Sequence, residues 1–131
     1  MSLDQAYTYS DGLKVEVVKV KLTRLSEEGG MDSEFAVGVP IQILSVRITN
    51  GTGARINLDN SDAVLTYGPK RREASAIDDV GTKTLYGKLA ASSDKTGRYG
   101  FVAPKDKIDT VVLTVTVDAA HPHARFKGSL T

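Results

Sequence analysis

The sequence predicts an all-β chain folded as an immunoglobulin-like β-sandwich of about eight or nine antiparallel strands, and three observations carry that reading. From Ile108 onward, Val111, Leu113, Val115 and Val117 alternate with Val112, Thr114, Thr116 and Asp118, so a two-residue period sends aliphatics to one face and mostly threonines to the other. Turn signals recur at intervals of roughly ten residues, the spacing of short strands in a sandwich. No stretch carries the long helical period that a doubly wound α/β fold requires.

Each element can be justified in turn. Tyr7-Thr8-Tyr9 leads into Ser10-Asp11-Gly12, a turn in which glycine supplies a positive φ and aspartate bonds its own backbone. In the strand that follows, Leu13, Val15 and Val17 share one parity and Val18, Val20 and Leu22 the other. One extra residue near Val17, a β-bulge, restores the facing. Lys19 and Lys21 read as edge charges that discourage further pairing. Ser26-Glu27-Glu28-Gly29-Gly30 is a polar loop. A second parity change separates Phe35, Val37, Val39, Ile41 and Ile43 from Leu44, Val46 and Ile48, which predicts a second slip in a long strand. Asn50-Gly51-Thr52-Gly53 predicts a hairpin whose flanking strands pair with each other. Ile56 and Leu58 form a short strand, Asp59-Asn60-Ser61-Asp62 a turn, and Ala63, Leu65 and Tyr67 another strand ending at Gly68-Pro69. Residues 70–83 are the least regular and read as a short outer strand, a loop and one helical turn. Leu85, Tyr86 and Leu89 begin the next strand, and Ala91-Ser92-Ser93-Asp94-Lys95 turns the chain into Tyr99 and Phe101.

At 131 residues the chain makes one domain, placed at 7–127 between a disordered or expression-derived start (1–6) and a tail (128–131). A chain of this length buries roughly two thirds of its unfolded surface and needs no staple. It has no Cys, which removes disulfides, thiolate metal sites and cysteine nucleophiles. Its formal charge of +1 gives no global attraction to nucleic acid or to an anionic membrane, so no nucleic-acid partner is expected. No apolar run approaches the length of about 18 residues that spans a bilayer. The N-terminus lacks a basic region followed by an apolar stretch. Met1-Ser2-Leu3 reads as an expression-derived start, with an original leader cut away.

Three segments together resemble a known family: Tyr7-Thr8-Tyr9-Ser10-Asp11-Gly12-Leu13-Lys14-Val15, Ile43-Leu44-Ser45-Val46-Arg47-Ile48-Thr49-Asn50-Gly51-Thr52, and Gly97-Arg98-Tyr99-Gly100-Phe101-Val102-Ala103-Pro104. The set resembles the Ig-like domain of unknown function (DUF 4352) of secreted proteins and lipoproteins of Gram-positive bacteria, actinobacteria especially, similar in fold to a secreted mycobacterial immunoprotective antigen. The chain departs from that pattern where a Pro-Gly turn usually precedes the Tyr-x-Phe strand, since residues 90–95 contain neither. The resemblance implies no shared catalytic residues. It implies export to the extracellular space or cell envelope, behind a signal peptide or a lipid anchor carried by the missing leader.

The candidate sites each carry two readings. His121-Pro122-His123 sets two imidazoles on one side of an extended segment, as Zn or Cu ligands would be, with Asp118 or a distant carboxylate completing the set. The other reading is a solvated turn stiffened by Pro122. Asp59-Asn60-Ser61-Asp62 has oxygens at a spacing calcium uses but lacks the glycine and terminal glutamate of a calcium loop, which favours a turn. Glu27-Glu28 and Asp78-Asp79 are adjacent carboxylates without an apparent apolar pocket, and no Gly-x-Ser-x-Gly elbow is present, so no enzyme is expected. Tyr67, Lys70, Arg71, Arg72 and Tyr86 make a candidate interaction surface, either a contact for phosphate or an anionic wall polymer or simply solvated charge. Asn50-Gly51-Thr52 matches a glycosylation acceptor that the hairpin turn also explains. The sequence therefore points to a non-enzymatic binding or interaction module of the envelope, without a cofactor, whose partner is a protein or a cell-wall component. An envelope metal-handling protein and a structural spacer are the alternatives.

Overall fold

The strand pattern is realised as eleven strands among the residues described by the structure, a computed structural model covering 2–27, 35–79, 81–103 and 107–130. In chain order they are β1 (Ala6–Thr8), β2 (Leu13–Arg24), β3 (Pro40–Asn50), β4 (Ile56–Asn57), β5 (Asp62–Tyr67), β6 (Arg72–Glu73), β7 (Ser75–Ile77), β8 (Lys88–Leu89), β9 (Asp94–Val102), β10 (Val111–Thr116) and β11 (Ala124–Gly128). One sheet has the order β1-β2-β3-β9-β7, a second the order β11-β10-β5-β6, and β4-β8 is a separate ribbon. All these pairings are antiparallel. The chain is an immunoglobulin-like β-sandwich. Eleven strands exceed the expected eight or nine, and β4, β6 and β8 are two residues each; β4 falls where Ile56 and Leu58 predict a short strand, and β8 keeps only the end of the strand expected from Leu85. Glu28, Gly29 and Gly30 of the expected loop, and Pro104, lie outside the described residues.

Burial follows the alternation where one face meets water. In β10, Val111, Leu113 and Val115 point into the main core with Phe101, Phe126, Leu65 and Leu44. The bulge in β2 is present: Val17 pairs with Val46 and Lys19 with Ser45, which leaves Val18 as the extra residue. The second slip is not. Through β3 the pairing with β9 runs without a break from Gln42 to Thr49. Residues 41–46 are all buried because both faces of β3 are covered: Leu44 and Val46 face the second sheet, while Ile41 and Ile43 pack on the outer face with Leu25 and Ile77. A strand buried on both sides loses its alternation and mimics a change of register. It also begins at Pro40 rather than at Phe35.

The hairpin at Asn50 is absent as well. β3 pairs with β2 and β9, and the chain after Asn50 crosses to the ribbon, where Ile56 pairs with Leu89. Asn50 is fully buried and holds the crossover: its Nδ2 donates to the carbonyls of Ala54 (2.6 Å) and Leu89 (3.0 Å), and its Oδ1 accepts from the Thr52 amide (3.1 Å) and hydroxyl (2.7 Å). Gly51 serves close packing rather than turn geometry, since a Cβ there would lie 2.6 Å from the Gly12 carbonyl oxygen. Between β8 and β9 the turn without Pro-Gly closes through Ser92, which takes a φ of 62°. At the start of the chain, Ser2 bridges Lys127 and the Leu3 amide donates to the Lys127 carbonyl (3.0 Å).

Candidate functional site

The candidate residues separate onto the two ends of the sandwich. β5 sets the distance: Asp62 pairs with Thr116 at one end and Tyr67 pairs with Val111 at the other. Its six residues span about 17 Å.

The Asp62 end holds the histidines. Thr116 Oγ1 lies 2.7 Å from His123 Nδ1. His121 lines the same surface depression as His123, with its side chain 10% exposed, but bonds to other groups. Its Nδ1 lies 2.6 Å from Asp118 Oδ1 and its Nε2 lies 2.7 Å from Asp11 Oδ2. Asp118 Oδ1 also accepts from the amides of Ala120 (3.1 Å) and His121 (3.0 Å), which fixes the turn after β10. Asp11 is held by its own turn, where its Oδ1 accepts from the Leu13 amide at 3.2 Å. Tyr9 packs edge-on against the imidazole, with ring centroids 4.9 Å apart, and its hydroxyl donates to the Pro122 carbonyl. Burial works against the imidazolium, but the hydrogen bonds from Asp118 and then Asp11 outweigh it and hold the pKa of His121 above the ordinary histidine value. Asp11 is lowered, chiefly by its bond to His121. Tyr9 is pushed up to about 12 by burial first, then by the charges of Tyr7, Asp118 and Asp11.

With both nitrogens protonated, His121 donates to two carboxylates at once and ties the β1–β2 turn to the turn after β10. A metal ion would have to displace one of those carboxylates for each nitrogen it used. The structure sends His121 and His123 to different partners, and no group of three or more His, Cys, Asp or Glu among the described residues is arranged to hold a metal.

The other acidic candidates carry local structure. Asp59 Oδ1 accepts from the Gly87 amide at 2.7 Å, and Ser61 Oγ donates to the Leu58 carbonyl at 2.7 Å. Asp79 accepts from the Ser26 amide (2.9 Å) and hydroxyl, closing the second core, while Asp78 is exposed. Glu28, one half of the other carboxylate pair, lies outside the described residues.

The Tyr67 end holds the cations. Tyr67, Gly68, Pro69, Lys70 and Arg72 from the β5–β6 turn, with Lys107 from the segment before β10, surround a cavity of about 360 Å³. The turn is held by Arg71 N donating to the Gly68 carbonyl (3.2 Å) and Gly68 N to that of Thr110 (3.0 Å). Gly68 has a φ of 74° and Arg71 a φ of 48°. The Lys107 stem passes so close to Gly68 that a Cβ there would lie 3.7 Å from its Cδ. Three of the proposed interaction residues, Tyr67, Lys70 and Arg72, therefore share one cavity. Arg71 lines the adjacent groove with Asp109 and Lys127. Tyr86 is at the opposite end, 59% exposed, with Lys95 Nζ 4.8 Å from its ring centroid. Lys107 was not a candidate from sequence, since a lone lysine 40 residues beyond Tyr67 carries no local signal.

Comparison with known proteins gives a fold and no activity. No family model matches the chain, and no curated protein matches it. Among solved structures, the ycdA protein of Bacillus subtilis subsp. subtilis str. 168, described as a lipoprotein candidate, superposes with a TM-score of 0.75 at 21% identity over 98% of this chain. The chain spans 39% of that protein's length. The yjhA protein of Bacillus subtilis gives a TM-score of 0.74 at 13% identity, covering 96% of this chain and 97% of that one. An uncharacterised β-sandwich protein of Clostridium difficile 630 gives 0.53 at 15% identity, covering 95% and 90%. No helix among the described residues is long and apolar enough to cross a membrane. These likenesses identify the chain as a β-sandwich whose neighbours include a lipoprotein candidate.

Proposed function

We propose that this chain is a non-enzymatic interaction module of the cell envelope or extracellular space, a single domain over residues 7–127 that contacts its partner through the β5–β6 end of the sandwich. The observation that carries the reading is the chiefly apolar cavity there, lined by Tyr67, Gly68, Pro69, Lys70, Arg72 and Lys107, with the exposed cations of one turn around it. An apolar cleft beside exposed cations of one turn suits a partner that brings apolar surface together with negative charge. The envelope location is supported by the resemblance to DUF 4352 and by the lipoprotein candidate among the structural neighbours.

Co-sedimentation of the purified domain with Gram-positive envelope fragments tests this reading. The domain should pellet with the fragments, and Lys70→Glu with Arg72→Glu should reduce the bound fraction about tenfold, equivalent to roughly 1.4 kcal/mol. A domain that stays in the supernatant at low and physiological salt alike refutes the module reading.

A further inference from the structure

Among the described residues, β2 carries the longest unpaired edge of either sheet, running from Lys19 to Arg24. We infer that this edge, from Val18 to Thr23, docks an extended segment of a partner protein, which adds as a further strand with acidic side chains beside Lys19 and Lys21 and apolar ones beside Val20 and Leu22. The edge is separate from the β5–β6 end and acts without it.

The path of the backbone opens the edge. β1 covers β2 only as far as Glu16, which pairs with Ala6. Before Ala6 the chain turns away: the Gln5 amide donates to the Ser2 carbonyl (3.0 Å), and Ser2 and Leu3 are bound to Lys127 of β11. The bulge at Val18 falls near that departure, and the six residues Lys19–Arg24 go on pairing with β3 alone. They make about 20 Å of ladder, the length of an ordinary strand. An edge strand points the N–H and C=O groups of alternate residues outward, where a further strand can take them. At the far end Arg24 is engaged with its own chain, its Nη1 donating to the Gly38 carbonyl at 3.0 Å. The edge strands β6 and β7 are only two and three residues long.

Register fixes the faces. Lys19 pairs with Ser45 and Lys21 with Ile43, while Val20 pairs with Leu44 and Leu22 with Gln42. Directly opposed residues share a face, so the two lysines lie on the outer face of the sheet and the two aliphatics on the face that carries the main core. Val20 and Leu22 nevertheless stay 38% and 58% exposed, and Val18 is 43% exposed. These are three of the five large hydrophobics left exposed among the described residues, gathered in one stretch. Neither lysine makes an ion pair with a described carboxylate.

Charge selects the occupant. A second copy of this edge brings lysine against lysine, and a neutral strand gains nothing from them. A strand in which acidic and apolar residues alternate meets both faces at once, with main-chain bonds to the open edge supplying affinity and the alternate side chains specificity.

NMR titration of the intact domain with the capped peptide Thr-Glu-Val-Glu-Val-Thr tests the inference. The peptide should bind, weaken as salt rises, and slow the exchange of outward-facing amides between Val18 and Thr23. Lys19→Glu with Lys21→Glu should weaken it about tenfold and should bind instead the peptide in which lysine replaces each glutamate. Unchanged thermal midpoints would show that these exposed positions tolerate the change. Lys70→Glu with Arg72→Glu, the same change of charge at the β5–β6 end, should leave peptide affinity within about twofold, so either surface can fail without the other. Equal binding of the reordered peptide Thr-Glu-Glu-Val-Val-Thr, or of one N-methylated at alternate amides, overturns strand addition. Equal binding of the lysine peptide to the unaltered edge overturns the charge assignment. Self-association that protects the same amides gives the edge to a second copy and overturns the acidic partner. Protection located elsewhere, or no binding at millimolar peptide, overturns the docking edge.

Discussion

His121 shows how much one side chain can tie together. Its bond to Asp118, three residues earlier, is the kind of local contact that the sequence displays. Its bond to Asp11 spans 110 residues and joins two turns that only the closed sandwich brings together. The sequence brought Asp118 next to His121 only as a fellow metal ligand, and it did not name Asp11 there; the bonds from both imidazole nitrogens to these carboxylates come from the fold. The double bond has a pH signature. His121 is raised in the folded chain, so its contribution is full below the ordinary histidine pKa and is lost as pH rises through the folded value. Asp11 is lowered, so its contribution is present above the ordinary aspartate pKa and is lost as pH falls through its folded value. The clamp is complete between those two limits. NMR titration of the imidazole should place His121 above the usual histidine range, and Asp118→Asn should bring it down further than Asp11→Asn does. A wild-type ring that titrates at or below the ordinary value would show that the clamp is not formed in solution.

Strand β2 shows what an element adds beyond its residues. β1 pairs with it only at residues 14–16, while β3 accompanies it along its whole length. Beyond Val17 its outer edge has no strand partner among the described residues, and Val20 (38%) and Leu22 (58%) are left exposed. Centred on Val20, antiparallel pairing of two β2 edges would set Lys19 opposite Lys21 twice over. Each such like-charged pair costs about 0.7 kcal/mol, so the two together weaken self-association by about tenfold. Replacing both lysines by threonine should strengthen association by that factor in sedimentation velocity over a concentration series. An unchanged sedimentation coefficient would show that charge is not what keeps the edge single. The bulge that places Val18 out of register was legible from the parity change, but Val18, Val20 and Leu22 stay exposed beyond it instead of joining the core. The parity change in β3 misled because Leu44 and Ile43 are both buried, one between the sheets and one beside Leu25, Phe35 and Val39. The Asn50-Gly51 signal failed because local turn propensity lost to tertiary demands, namely the four side-chain bonds of Asn50 and the contact of Gly51 with Gly12.

Across the whole molecule, two polar constellations sit at opposite ends of one sandwich, with the interior between them built from Leu44, Leu65, Phe101, Leu113 and Phe126. That arrangement separates the clamp that closes the fold from the end proposed to meet a partner. The fold class was legible because alternation and turn spacing are properties of short stretches. The grouping of Tyr67, Lys70 and Arg72 was legible because they share one turn. Neither Lys107 at that turn nor Asp11 at His121 was, because those neighbours arrive through sheet topology. Separation also predicts independence. The ends lie about 17 Å apart along β5, roughly twice the Debye length of about 8 Å at physiological salt and beyond the range of about 10 Å within which neighbouring sites usually couple. Asp118→Asn should therefore lower the thermal midpoint near neutral pH yet leave envelope co-sedimentation within about twofold. Lys70→Glu with Arg72→Glu should weaken that binding about tenfold yet leave the His121 titration where it stands. If either variant moves the readout at the far end, the two ends share a conformational equilibrium, and the sandwich transmits between its turns instead of insulating them.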